Sequence, residues 1–269
     1  MAVRGLRMLS PNPSQRGTLE VDAVLKVTNL SKSFGGLKAV DNLSFEVAAG
    51  QFFGIIGANG AGKTTLLNLI TGYLPLSTGT IELEGKPIHG LPPYRVAHRG
   101  IGRTFQITQP FAEMSVLDNV MTGALFSRNG QKRCLGEARA LCDEPLRLVG
   151  LTAQAQVPAG ALTLGGKKKL ELARALAMEP RLLLLDEVMG GLTPAEVTDV
   201  MATLRRIHSA GTTLVMIEHL VHVIVDICDH VFVMNFGCEL YRGTPADVVT
   251  HPLVIEAYLG KPFAGGPGS

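Results

Sequence analysis

Apolar residues in this chain follow two rhythms. In FFGIIG from Phe52, RLLLLDE from Arg181, TTLVMIE from Thr212 and HVFVMN from His230 they run on almost without interruption. An unbroken apolar run marks a strand buried on both faces, as in a mostly parallel sheet. LKVTNL from Leu25, LSFEV from Leu43 and TIELEG from Thr80 are further strand-like runs. Between them the spacing becomes helical, over 63–72, 194–208 and about 220–227. This alternation predicts an α/β fold. From about 116 to 151 no strong strand is visible, and SVLDNVMTGALF and EARALCDEPLRLVG have helical spacing. They predict a helical insertion over about 111–160, ending at the loop before Leu162. A further helix follows in ALTLGGKKKLELARAL from Ala161, with Leu170, Leu172, Ala173, Leu176 and Ala177 on one side. Its start is electrostatically odd, because Lys167, Lys168 and Lys169 fill the first turn. Cations at the positive end of a helix are unfavourable by about 0.3–1 kcal/mol each. The helix start therefore asks for an anion.

Composition narrows the class. With 269 residues, 46% of them hydrophobic, the chain can fill one large or two small domains. A net charge of only +2 argues against binding nucleic acid by bulk charge. Four cysteines without a CxxC pair or disulfide-like spacing favour a reducing, cytosolic setting. The most apolar stretch, from Thr212, is broken by Glu218, His219, His222, Asp226 and Asp229, so it is no membrane span. MAVRGLRMLSPNPSQRGTLE lacks the apolar core of a signal peptide and reads as a flexible extension over 1–23. Residues 262–269, ending in AGGPGS, read as a flexible tail.

GANGAGKTT, starting at Gly57, fits the phosphate-loop pattern G-x-x-x-x-G-K-[ST] between a strand and a helix. Its residues are Gly57, Ala58, Asn59, Gly60, Ala61, Gly62, Lys63, Thr64 and Thr65. Glycines let backbone N–H groups turn inward around phosphates. Lys63 is expected to reach the β- and γ-phosphates, and the Thr64 hydroxyl to bind Mg²⁺. The helix that follows directs its positive end at the anion. RLLLLDE places Asp186 and Glu187 at the C-terminal tip of a buried strand, where sheet ligands bind. In that setting Asp186 would hold Mg²⁺, and Glu187 would orient and deprotonate the attacking water. His222, Asp226, Asp229 and His230 could gather a metal on one helical face, but a solvated face explains them better.

From about Val24 to Lys261 the order of these elements resembles the ATP-binding cassette of ABC transporters. The resemblance implies a P-loop NTPase over 24–261, with a mostly parallel central sheet, an antiparallel β subdomain and a helical subdomain at about 111–178. It identifies Leu162-Thr163-Leu164-Gly165-Gly166 with the family's Leu-Ser-Gly-Gly-Gln signature. Thr163 keeps the hydroxyl and Gly165 one glycine. Leu164 replaces the other glycine and Gly166 the glutamine. In the family two cassettes meet head to tail, and the signature of one contacts the γ-phosphate held by the other. The expected anion is then a partner's ATP. Gln106 in GRTFQ looks like the glutamine that senses Mg²⁺ and the membrane subunit, and His219 like the switch histidine on the γ-phosphate. Phe34 looks like the aromatic that stacks on adenine. Thr193 stands where an aspartate is usual.

RGIGRTFQITQPFAEMSVLDNVMTGAL, DEVMGGLTPAE and GTPADVVTHPLVIEAYLGK resemble the ATPase subunits of branched-chain amino acid importers. That branch implies ATP and Mg²⁺ as cofactors and Lys63, Glu187 and His219 as the catalytic residues. Its partners would be a second ATPase subunit, equal or different, permease subunits and, indirectly, a substrate-binding protein, but no nucleic acid. The chain would sit at the cytoplasmic face of the inner membrane, held there by the permease. Urea and amide importers and the lipopolysaccharide-export ATPase are near alternatives. A soluble non-transport cassette and a catalytically silent one are more distant alternatives.

Overall fold

A computed structural model describes residues 23–126 and 133–259. The chain begins with β1 (Ala23–Phe34), β2 (Leu37–Ala48), β3 (Phe52–Gly57) and α1 (Lys63–Ile70). Then come β4 (Thr78–Leu83), β5 (Lys86–Pro87), α2 (Pro93–Arg99) and β6 (Ile101–Arg103). Helices α3 (Val116–Ala124), α4 (Leu135–Ala140), α5 (Asp143–Val149) and α6 (Leu164–Leu176) follow. The last part holds β7 (Leu182–Asp186), α7 (Pro194–Ser209), β8 (Thr213–Ile217), α8 (Val221–Ile227), β9 (His230–Asn235) and β10 (Cys238–Gly243). It ends with α9 (Pro245–Thr250) and α10 (Pro252–Leu259). The segments expected to be flexible, 1–23 and 262–269, lie outside the described residues except for Ala23.

Six strands form the central sheet in the order β10-β9-β3-β8-β7-β6, and only the β9–β10 pairing is antiparallel. The continuous apolar runs explain this position. Side chains alternate between faces along a strand, so a strand covered on both sides must be apolar throughout. Phe52 and Ile56 of β3, with Leu183 and Leu185 of β7, face a core closed by the helical elements. Phe53, Ile55, Leu182 and Leu184 face the opposite core, shared with α1 and the second sheet. There Phe45 stacks on Phe53 with ring centroids 5.5 Å apart.

The second sheet has the order β2-β1-β4-β5 and is antiparallel. Its strands outrun the apolar segments that announced them. The polar flanks of β1 and β2 pair across the Gly35–Gly36 turn, from Phe34 against Leu37 to Ala23 against Ala48. Two strands of the central sheet gave no signal in the sequence. β6 is only three residues long, too short to show a period, and β10 (CELYRG) is a half-exposed polar edge strand. In the segment expected to be helical, α6 packs against α3 and α5. Its apolar stripe (Leu170, Leu172, Ala173, Leu176) is buried as expected. No helix among the described residues is long and apolar enough to cross a membrane.

The cysteines divide by burial. Cys134 and Cys238 are exposed, whereas Cys142 and Cys228 are buried and none is in a disulfide. Burial pushes the Cys142 thiol up to about 11 and raises that of Cys228 further. A thiol-reactive dye should therefore modify two groups rapidly in the native protein and the other two only on unfolding. Four rapid reactions would contradict this packing.

Candidate functional site

β3 occupies the middle of the sheet and ends at Gly57, and α1 begins at Lys63. The turn between them can be built only with glycine at key points. A Cβ on Gly57 would lie 2.5 Å from the Met234 carbonyl oxygen, and one on Gly62 2.3 Å from that of Ala39. Gly60 and Gly62 have φ of 82° and 99°. The resulting loop lines an open cleft of about 500 Å³ through Asn59, Gly60, Ala61, Gly62, Lys63, Thr64 and Thr65. Phe34 and Glu187 line the same cleft. The buried Lys63 ammonium donates to the carbonyls of Gly57 (2.6 Å) and Ala58 (3.1 Å). Burial lowers its pKa, while the charges of Glu187 and Asp186 work against that shift.

β7 is two strands from β3, with β8 between, and delivers Asp186 and Glu187 to the same end of the sheet. Glu187 sits at φ 47°, an uncommon conformation for a residue with a side chain. Its backbone N–H donates to the Ile217 carbonyl at 3.0 Å, which ties this bend to the tip of β8. The Gln106 amide nitrogen donates to Glu187 Oε2 at 2.6 Å. Asp186 is buried and paired with Arg103 at 2.8 Å. The same guanidinium donates to Asn68 Oδ1 (2.8 Å) and Thr71 Oγ1 (3.0 Å). One arginine thus ties the carboxylate to the helix that leaves the phosphate loop.

The lysines that made the start of α6 puzzling have separate destinations. Lys168 is only 2% exposed and donates through Nζ to the Gln106 carbonyl at 2.7 Å. Burial lowers its pKa, opposed most by the nearby Glu171. Glu171, one turn on, accepts the Phe105 N–H at 2.6 Å. Together these two side chains hold both sides of the segment carrying Gln106. Lys169 pairs with Asp199 of α7. The anion at the helix start is Glu196, whose Oε1 accepts the Gly165 N–H at 3.1 Å. Thr163 caps α6 by accepting the Gly166 N–H at 3.1 Å. Thr193 caps α7 in a reciprocal box with the same Glu196. Thus the signature-like donors are engaged within the chain, and Thr163, Gly165 and Gly166 do not line the cleft.

His219 is likewise outside the cleft lining and is exposed, its Nδ1 3.9 Å from Glu218 Oε2. Glu218 is fully buried; one oxygen accepts the Met189 N–H at 2.9 Å and the other has no partner. Burial raises its pKa. Asp226 is paired with Arg205, and Asp229 accepts the Phe52 N–H at 2.8 Å. Among the described residues no three His, Cys, Asp or Glu side chains converge as a metal site.

Sequence reasoning missed Arg103, Lys168, Glu171 and Glu218. Arg103 lies three residues before Gln106, and Glu218 directly before His219, so proximity to those motifs was the available signal. Lys168 and Glu171 carried a subtler one: two charged residues on the apolar side of α6.

Comparison with known proteins agrees with this geometry. The ABC transporter family model matches residues 40–190. A model described as branched-chain amino acid ATP-binding cassette transporter matches residues 242–264. The high-affinity branched-chain amino acid transport ATP-binding protein BraF of Pseudomonas aeruginosa is 37% identical, over 88% of this chain and 98% of its own. LivG of Escherichia coli, which carries the same description, is 36% identical over the same shares. The crystal structure of the ADP conformation of MJ1267, an ATP-binding cassette of an ABC transporter, has a TM-score of 0.79 and 32% identity. It covers 89% of this chain and 99% of MJ1267. With the cassette fold, the phosphate loop and its carboxylates in place, this chain belongs to the ABC transporter ATPases, in the branched-chain amino acid importer branch.

Proposed function

We propose that the chain binds MgATP in the cleft beside Phe34 and hydrolyses it to power import of branched-chain amino acids. The cassette extends over 24–261. The observation that carries this reading is the convergence of the phosphate loop, the Lys63 ammonium and the Glu187 carboxylate on one cleft. The residues fit the ligands. Glycines at 57 and 62 leave room only for backbone, so the loop can wrap closely around phosphate oxygens. Thr64, Asp186 and Gln106 offer hard oxygen donors suited to Mg²⁺, too few for a cage of protein ligands alone. That fits an ion which keeps substrate oxygens and waters. The ion, when bound, neutralises charge on the β- and γ-phosphates. Lys63 turns from the Gly57 and Ala58 carbonyls to those phosphates. Glu187 takes a proton from water as its oxygen bonds to the γ-phosphorus and the bond to ADP breaks. Gln106 holds that carboxylate in place, and Lys168 and Glu171 hold Gln106. His219 completes the site from the tip of β8 by contacting the γ-phosphate.

A second ATPase subunit, identical or different, closes head to tail over the cleft. Permease subunits then fix the pair to the cytoplasmic face of the membrane and receive solute from a substrate-binding protein. Uptake of labelled leucine, isoleucine and valine by cells with and without the gene tests the solute. Uptake of urea or short amides alone would overturn it.

Closure itself makes a distinct prediction. Thr163, Gly165 and Gly166 reach a partner's γ-phosphate only if Glu196 yields the Gly165 N–H. Thr163→Ala should bind ATP normally as a monomer, since that ATP lies on the phosphate loop. One charge-assisted hydrogen bond contributes about 1.5–3 kcal/mol, so ATP-dependent dimerisation should weaken by about tenfold or more. The measurement is made with Glu187→Gln as parent, so that hydrolysis does not drain the closed state. Undiminished dimerisation would make the segment a structural cap of α6 only.

A further inference from the structure

The hairpin between β9 and β10 turns through Phe236 and Gly237, between the paired residues Asn235 and Cys238. Both turn residues have positive φ, 46° and 80°. A two-residue turn with positive φ at both positions strongly favours Asn, Asp or Gly at its first position, because a side chain there is strained. Phenylalanine is a poor choice by that rule. Burial does not explain it either, since Phe236 is 84% exposed. Its ring has no aromatic or cation partner among the described residues. It does line the nucleotide cleft, together with Phe34 and the phosphate loop. The turn is also fixed to that cleft. The Gly237 N–H donates to the Ala61 carbonyl at 3.0 Å, and the Asp41 N–H to the Gly237 carbonyl at 2.8 Å. A Cβ on Gly237 would lie 2.9 Å from the Ala39 carbonyl oxygen, so the turn is seated closely on β2. Phe34, by contrast, has one face occupied: the Lys32 ammonium lies 5.0 Å from its ring centroid.

We propose that Phe236 is a second aromatic wall for the purine base, stacking on the nucleotide from the β9–β10 turn. This rests on the cleft being a nucleotide site and adds to it a base-recognition residue outside the phosphate loop. Local strain retained in an exposed aromatic at a binding cleft is strain kept for the ligand.

The test separates the base from the phosphates. Phe236→Asn places a preferred residue in the turn, so the melting temperature should hold or rise. Stacking of a base on an aromatic side chain supports a loss of about tenfold or more in MgATP affinity. Affinity for inorganic tripolyphosphate, which has no base, should be unchanged, and Phe236→Tyr should bind MgATP like the wild type. The proposal is overturned if Phe236→Asn binds MgATP as tightly as wild type, or loses ATP and tripolyphosphate alike. A wild-type chain that takes tripolyphosphate as tightly as ATP would remove base recognition and leave the phosphate loop standing. A wild-type chain that binds neither would overturn the nucleotide site itself.

Discussion

Glu187→Gln should bind MgATP like the parent protein and hydrolyse it about 10²–10⁴-fold more slowly, the usual loss when a general base is removed. Glutamine has the same shape but does not take a proton from water. The local structure should survive the change. The Gln106 amide can still donate to the remaining side-chain oxygen, and the backbone bond from residue 187 to the Ile217 carbonyl does not involve the side chain. Position 187 keeps a flexible, polar side chain at its positive φ. Binding is measured by equilibrium titration and hydrolysis by single-turnover phosphate release. A normal rate in this variant would show that another group activates the water.

The second large effect is expected at Lys63. In the structure its ammonium is buried and neutralised only by two backbone carbonyls and the more distant acidic pair. Phosphate oxygens are far stronger partners. Loss of hydrogen bonds to a charged ligand is worth about 1.5–3 kcal/mol each, so Lys63→Ala should weaken MgATP binding by about tenfold to a hundredfold. Lys63→Met keeps most of the packing volume and separates charge from shape. Bound ligand stabilises a protein by about 2.7 kcal/mol at a hundredfold excess over its Kd. Wild type should therefore melt at a higher temperature with MgATP, and Lys63→Met at the same nucleotide concentration should show little of that rise. Equal protection of both proteins, with unchanged turnover, would remove Lys63 from the phosphate site.

The pairing of Asp186 with Arg103 bears on both experiments. The two charges are almost fully enclosed, and a buried charge without its partner is costly. Arg103 therefore keeps Asp186 ionised and in position at the mouth of the cleft while joining it to Asn68 and Thr71 of the α1 segment. Nothing local marks this role, because 83 residues separate the partners.

What the sequence by itself determined is what depends on neighbouring residues. Two-sided burial demands unbroken apolar runs, so β3, β7 and β8 were legible with their parallel setting. The glycines and Lys63 of the phosphate loop act through a single strand–turn–helix segment, and Asp186 and Glu187 stand at the end of one such run. The order of these segments carried the family resemblance and its expectations for Gln106, His219 and Thr163. Tertiary structure alone decided which groups face one another across the chain. Lys168 and Gln106 lie 62 residues apart, and Gly165 and Glu196 31 apart. The polar strand β10 exists because β9 offers it a free edge, and its turn carries Phe236 to the phosphate loop. These contacts follow from strand order, register and helix packing, which bring distant segments within hydrogen-bonding distance while leaving no periodic trace in either one.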